Sequence, residues 1–255
     1  RDLRRLTGMW RDPAPATGEP AVPPDDAPVR WGMGDAVLGL LASLLVPTIV
    51  VVAVLGVTGR EDLDDLSLWA TALLQVPLWA GLLGAPLWST YLKGRHSLAA
   101  DFGLRMKPGD IPLGLAAGFV GQIVLLLLLT LVYNLLGVDL DKVGETAEEL
   151  TEGATDAVGV VLLVLIVGLA APVFEELFYR GLWLRAIERR AGTVVAVIGS
   201  SVLFGLVHFE PYDLPALIGF GAIAALLTVR TGRLGPAIWA HVAFNITAVV
   251  GLLAQ

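Results

Sequence analysis

Apolar residues in this chain gather in long runs, each bounded by polar or turn-forming residues, so the segments predict membrane-spanning helices. Seven candidates run roughly from Ala36 to Val57, Leu68 to Leu92, Ile111 to Leu136, Val158 to Phe174 with a helical continuation, Thr193 to His208, Leu214 to Val229 and Leu234 to Leu253. The fifth and sixth are short for a full crossing. Pro47, Pro77, Pro86 and Pro172 fall inside these runs and predict kinks, which membrane helices tolerate when neighbours satisfy the freed carbonyls. The expected fold class is all-α: a polytopic membrane helix bundle of about seven spanning helices, with the last four as its core. Residues 1–33 are polar and proline-rich and read as a flexible cytoplasmic tail, with residues 34–255 as the membrane-embedded helical domain. The chain begins at Arg1 without a methionine. No cleaved leader is expected, because the first apolar run begins only near Ala36 and is long enough to span.

Composition agrees with that pattern and removes several chemistries. The chain of 255 residues is 56% hydrophobic and 16% charged, with a mean hydropathy of +0.75, which places it in a bilayer. It has no cysteine, which excludes disulfides, thiolate metal sites and a cysteine nucleophile. Nothing supports nucleic-acid binding, and no cofactor is expected. Ala, Gly, Leu, Val and Arg dominate while lysines number three, a balance that fits a GC-rich bacterial genome and hence a bacterial plasma membrane.

Charge placement supplies an orientation. Arg1, Arg4, Arg5, Arg11 and Arg30 precede the first run; Lys93, Arg95, Arg105 and Lys107 occupy the second connection; Arg185, Arg189 and Arg190 follow the fourth run; Arg230 and Arg233 lie before the last. The alternate connections are acidic, with Glu61, Asp62, Asp64 and Asp65 in the first and Asp139, Asp141, Glu145, Glu148, Glu149, Glu152 and Asp156 in the third. By the positive-inside rule the N-terminus is cytoplasmic.

Against this background a few polar residues stand out. Glu175 and Glu176 close the fourth run, and His208 and His241 lie in the apolar stretches that follow. A carboxylate or imidazole at membrane depth costs roughly a few kcal/mol, so such residues point to a functional site. Glu176 and Arg180 are one helical turn apart and can pair, while Glu175 points about 100° away. Phe204 and His208 share a helix face at i, i+4, as do His241 and Asn245. Glu175 and His208 each lie about sixteen residues, roughly 24 Å of helix, from the Ala191-Gly192 turn, so a helical hairpin would bring them to one level. The Arg185 to Arg190 end of that hairpin would then protrude into the cytoplasm and the site would open inward. The segment Phe209 to Leu214 would be irregular backbone beside a cavity.

The three motifs EExxxR (Glu175, Glu176, Arg180), FxxxH (Phe204, His208) and HxxxN (His241, Asn245), in this order on successive apolar segments, resemble the CAAX-protease and bacteriocin-processing family, whose best-known members are the type II CAAX prenyl endopeptidases. The resemblance covers the half from Val158 to Leu253. It implies an intramembrane glutamic endopeptidase that cleaves a membrane-associated protein or peptide. Glu175 would be the general base and His208 would position or activate the water. His241 and Asn245 would stabilise the oxyanion, and Glu176, Arg180 and Phe204 would support the site. A carboxylate partly withdrawn from water is a better base, and oxyanion donors act more strongly in a water-poor cavity.

Other readings remain open on the residues. Glu176 and Arg180 also suit a purely structural ion pair. Glu175, His208 and His241 are ligand types for a two-His, one-carboxylate zinc peptidase, although no HExxH helix is present and a further base would be needed. A non-catalytic immunity or scaffold protein of the same fold is the third alternative. Gly114 and Gly118 form a GxxxG, a frequent chance match in apolar helices that can also mark a helix contact.

Overall fold

The structure is a computed structural model that describes residues 28–60 and 68–254. Most of the proposed tail and the acidic first connection, with Glu61, Asp62, Asp64 and Asp65, lie outside the described residues. Within them all regular structure is helical: α1 Met33–Thr58, α2 Leu68–Lys93, α3 Leu98–Phe102, α4 Asp110–Leu136, α5 Glu145–Glu152, α6 Ala157–Leu163, α7 Ala171–Glu176, α8 Leu184–Leu206, α9 Leu214–Thr231 and α10 Gly235–Leu253. Two π-helical stretches, Val164–Ala170 and Leu177–Trp183, join α6, α7 and α8 into one continuous segment.

Six of these segments are long and apolar enough to cross a membrane, where the sequence predicts about seven. The difference lies in Ala157–Leu206, a single run of 50 helical residues that contains both the fourth and the fifth predicted spans. Gly192 divides it, with φ 81° and ψ 171° in place of helical values. A left-handed φ is open to glycine at no steric cost, so the chain reverses there without losing the helix on either side.

Small residues set how closely the helices approach. A Cβ on Gly81 of α2 would lie 2.6 Å from the Ser43 Cα of α1, and one on Gly221 of α9 would lie 2.9 Å from the Ser201 Cα of α8. A Cβ on Gly114 of α4 would lie 2.6 Å from the Pro236 carbonyl oxygen, and one on Gly118 would collide with that of Ala240. The GxxxG is therefore the seat of α10 on α4. In a bilayer lipid tails are as apolar as leucine, so close backbone packing replaces burial from water as the source of helix association. Leu45, Ile49 and Val52 of α1 and Leu127, Leu128 and Leu131 of α4 remain exposed, as lipid-facing positions should. The packed centre is aromatic, with Phe178, Phe204 and Phe220 all buried.

One end of the bundle is clasped by basic residues. Arg189 stacks over Trp31 at 3.6 Å and donates to its carbonyl oxygen at 2.6 Å, which holds the residues before α1 against the hairpin turn. Lys93 pairs with Asp35 at 2.5 Å, and Arg233 pairs with Asp110 at 2.5 Å. At the other end the acidic third connection is tied to the irregular segment after His208. The Tyr133 hydroxyl donates to the Tyr212 carbonyl at 2.9 Å, the Gly144 amide to Asp213 Oδ2 at 3.0 Å, and the Thr146 hydroxyl to Glu210 Oε1 at 2.5 Å.

Candidate active site

The glutamate pair sits on α7, a short α-helical segment between the two π-helical stretches. Each π turn adds a residue to the local repeat and shifts the faces that follow, a device that recurs at functional sites. Pro172 in the first turn of α7 suits this junction, because a proline has no amide hydrogen to place. Glu176 remains one turn from Arg180, and the two pair at 2.9 Å with both side chains fully buried.

Around Arg180 the environment is built to hold a cation without water. One guanidinium nitrogen donates to Glu176 and another to the Gly221 carbonyl oxygen at 3.3 Å. Its carbon lies 4.2 Å from the Phe204 ring centroid and 5.9 Å from that of Phe220. Carboxylate, carbonyl and ring faces together offset part of the desolvation of the charge, while Arg180 Nε and Glu176 Oε2 are buried with no hydrogen-bond partner among the described residues. Phe220 and the Gly221 carbonyl are contributions that the motifs did not reveal. Their only trace in the sequence is the small-residue run of α9, where Gly221 lets the backbone come close to α8.

Glu176 has a second partner that the helix spacing could not predict. His241 Nδ1 donates to Glu176 Oε1 at 2.9 Å, so α10 is joined to α7 through the same carboxylate that neutralises Arg180. His208 is oriented differently: it lies in the turn just beyond α8, and its Nδ1 is 2.6 Å from the Phe204 carbonyl oxygen in the last turn of that helix. A carbonyl only accepts, so Nδ1 of His208 carries the hydrogen, and in the neutral ring Nε2 is the lone-pair nitrogen.

Both remaining nitrogens face Glu175. His208 Nε2 and His241 Nε2 lie 4.0 Å and 3.9 Å from Glu175 Oε2, an oxygen with no hydrogen-bond partner among the described residues. These separations are too long for direct hydrogen bonds and leave room for a small polar species shared by all three groups. The side chains are graded in exposure: Glu175 is 15% exposed and His208 30%, while His241 is nearly enclosed. Phe204 underlies the group, with ring centroids 4.7 Å from His208 and 5.6 Å from His241.

The structure thus brings Glu175, Glu176, Arg180, Phe204, His208 and His241 into one cluster drawn from α7, the following π stretch, α8 with the turn after it, and α10. Asn245, one turn beyond His241, spends one amide hydrogen on the Val167 carbonyl at 2.8 Å, in the first π stretch. That carbonyl belongs to a stretch whose hydrogen bonding departs from the regular α pattern, and the asparagine ties it to α10. Among the described residues no group of three or more metal-ligating side chains has the close spacing of a formed metal site.

Comparison with known proteins adds a family. Residues 157–247 match the family described as type II CAAX prenyl endopeptidase Rce1-like. The chain is 30% identical over 109 residues to the "Putative membrane peptidase YdiL" of Bacillus subtilis, an alignment spanning 42% of this chain and 44% of the relative. It is 25% identical over 152 residues to an uncharacterized protein of Mycoplasma capricolum, covering 58% of this chain and 44% of that protein. The chain therefore spans less than half the length of the curated relatives it matches. No solved structure matches it significantly. The matched segment holds both glutamates, Arg180, Phe204, both membrane histidines and Asn245, so the similarity to the Rce1-like, type II CAAX prenyl endopeptidase family takes in every residue of the three motifs.

Proposed function

We propose that this chain is an intramembrane endopeptidase that cleaves a peptide bond of a membrane-associated protein or peptide with a water activated by Glu175. The observation that carries this reading is the convergence of His208 Nε2 and His241 Nε2 on Glu175 Oε2 at 4.0 Å and 3.9 Å. The family match and the name of the Bacillus subtilis relative support membrane proteolysis as the class of activity. The bacterial plasma membrane and a cytoplasmic N-terminus belong to the same proposal and rest on composition and loop charge.

In the proposed mechanism a water between the three groups donates a hydrogen bond to Glu175 and a second to the lone pair of His208 Nε2. Its oxygen attacks the scissile carbonyl carbon as Glu175 takes the proton, and the carbonyl oxygen becomes the oxyanion. Asn245 retains one N–H beyond the one given to Val167 and supplies it there. His241 supplies a second donor there when its Nε2 carries a hydrogen, with Nδ1 held by the Glu176 carboxylate at 2.9 Å. Collapse of the tetrahedral intermediate breaks the C–N bond, and the proton held by Glu175 passes to the leaving amine.

One specific observation also favours a zinc reading. Both histidines have Nδ1 committed to an oxygen and Nε2 turned to one point, the arrangement that orients ligating imidazoles. Ligand bonds of about 2.0–2.1 Å in a tetrahedron put ligand atoms roughly 3.3 Å apart, so metal binding would draw the three groups inward from their present separations.

The deciding experiment compares cleavage products in membranes of cells carrying the parent protein or Glu175→Gln, with the purified protein then tested on the peptides found. Loss of those products in a folded Glu175→Gln and a folded His208→Ala is the expected result. Retained hydrolysis by folded Glu175→Gln overturns the base assignment. Inactivation by a chelator with recovery on added zinc, and one zinc per chain by elemental analysis, would select the metal reading.

A further inference from the structure

The geometry points to a second site: we propose that a cationic cleft at the basic end of the bundle binds the phosphate of an anionic phospholipid headgroup. The cleft encloses about 370 Å³ and is assembled from the α3–α4 connection, the start of α8 and the α9–α10 turn. Arg105, Lys107, Arg185 and Arg233 line it, and no carboxylate lines it among the described residues.

These cations come from distant parts of the chain and are held together by backbone contacts. The Leu234 amide donates to the Gly103 carbonyl at 2.8 Å and the Gly235 amide to the Arg105 carbonyl at 3.2 Å, which fasten the α3–α4 connection to the start of α10. Arg185 Nη2 donates to the Gly232 carbonyl at 3.3 Å across the cleft. A side chain at Gly103, where φ is 71°, would strike that guanidinium at 2.6 Å, so the wall is shaped around Arg185. Asp110 lies behind Arg233, with both oxygens engaged by it, and balances the Arg233 charge. Arg185 Nε is buried and has no hydrogen-bond partner among the described residues, a donor that a phosphate oxygen would satisfy.

Position favours a lipid as the source of the phosphate. The cleft joins the ends of three apolar spans, Asp110–Leu136, Leu214–Thr231 and Gly235–Leu253, which sets it at headgroup level. Met106, between two of the lining cations, and Ile111, one turn below, are exposed apolar side chains beside which an acyl chain could run. Trp239 donates from its indole nitrogen to the Met106 sulfur at 3.2 Å, placing an aromatic ring where interfacial tryptophans sit. Basic pockets between spanning helices are suited to anionic headgroups by charge and by depth.

The test uses the full chain in a neutral detergent and follows its melting temperature against four probes: dihexanoyl phosphatidylglycerol, dihexanoyl phosphatidylcholine, glycerol phosphate and inorganic phosphate. Phosphatidylglycerol should raise the melting temperature saturably, phosphatidylcholine should leave it unchanged, and the two water-soluble phosphates should bind at least about tenfold more weakly than the anionic lipid. The double variant Arg105→Gln, Lys107→Gln alters exposed side chains and should weaken phosphatidylglycerol binding about 25-fold, at about fivefold per basic group. Arg60→Gln with Arg190→Gln removes as much charge from exposed positions that do not line the cleft and should change nothing. Equal response to both lipids, unchanged affinity in the cleft variant, or equal loss in the control variant would overturn the site. Inorganic phosphate binding as tightly as the anionic lipid would overturn the lipid assignment.

Discussion

His241 Nδ1 lies 2.9 Å from Glu176 Oε1, and that carboxylate oxygen is also the one that pairs with Arg180 at 2.9 Å. A single buried atom thereby joins α10 to the helix that bears the glutamate pair and neutralises a guanidinium enclosed between two phenylalanine rings. Glu175, its neighbour in sequence, faces the other nitrogen of the same imidazole at 3.9 Å. The two carboxylates are consequently separable by experiment.

Glu176→Gln should destabilise the protein by about 3–5 kcal/mol, because Arg180 would keep a buried charge with only neutral acceptors and ring faces around it. Glu175→Gln should stay within about 1 kcal/mol of the parent, since Glu175 Oε2 has no hydrogen-bond partner to lose among the described residues. Unfolding curves in micelles measure both. Equal stability losses for the two variants would contradict the division of labour.

Asn245→Ala removes two things at once. Loss of an oxyanion donor should lower kcat by about 10²–10³. Loss of the hydrogen bond to the Val167 carbonyl should cost about 1–3 kcal/mol of stability. Reduced stability with an unchanged kcat on a cleaved peptide would reduce Asn245 to a tie between α10 and the first π stretch.

Gly118→Val should be strongly destabilising, by roughly 3 kcal/mol or more, because its first side-chain carbon would collide with the Ala240 carbonyl and force α4 away from α10. Hydrolysis should fall with it, since α10 carries His241. Gly56→Ala in α1, where a Cβ meets nothing within 4 Å, should be neutral or stabilise by up to about 1 kcal/mol. Thermal unfolding of the two variants side by side makes the comparison.

Orientation is open to labelling, because the chain has no cysteine of its own. A cysteine placed at the exposed Arg190 should react with a membrane-impermeant thiol reagent from the cytoplasmic side only, and one at the exposed Glu149 from the opposite side only. The reverse pattern in sealed vesicles would invert the topology.

What the sequence determined by itself was the class of molecule and the inventory of chemistry. Apolar runs of span length define membrane helices because the bilayer requires every backbone group to be satisfied within its own segment, a constraint that acts locally. Glu175, Glu176, Arg180, Phe204, His208, His241 and Asn245 were visible for a related reason, since polar side chains are conspicuous in apolar surroundings. The pairing of Glu176 with Arg180 was legible from a spacing of one helical turn.

Tertiary structure alone decided the rest. The sequence placed a turn at Ala191-Gly192 between the fourth and fifth spans but did not show that helix continues right up to Gly192 on both sides, as it does because a glycine with positive φ turns the backbone without a loop. Neither π stretch could be read from composition, since π and α turns draw on the same residues and differ only in which carbonyl each amide meets. The GxxxG of α4 was indistinguishable from chance until α10 lay against it. The His241 bond to Glu176, the approach of both Nε2 atoms to Glu175 and the gathering of Arg105, Lys107, Arg185 and Arg233 around one cleft join residues remote in the chain. Local spacing put Glu175 and His208 at one level of a hairpin but carries no information about the distances themselves, which are set by how closely small residues let the helices pack.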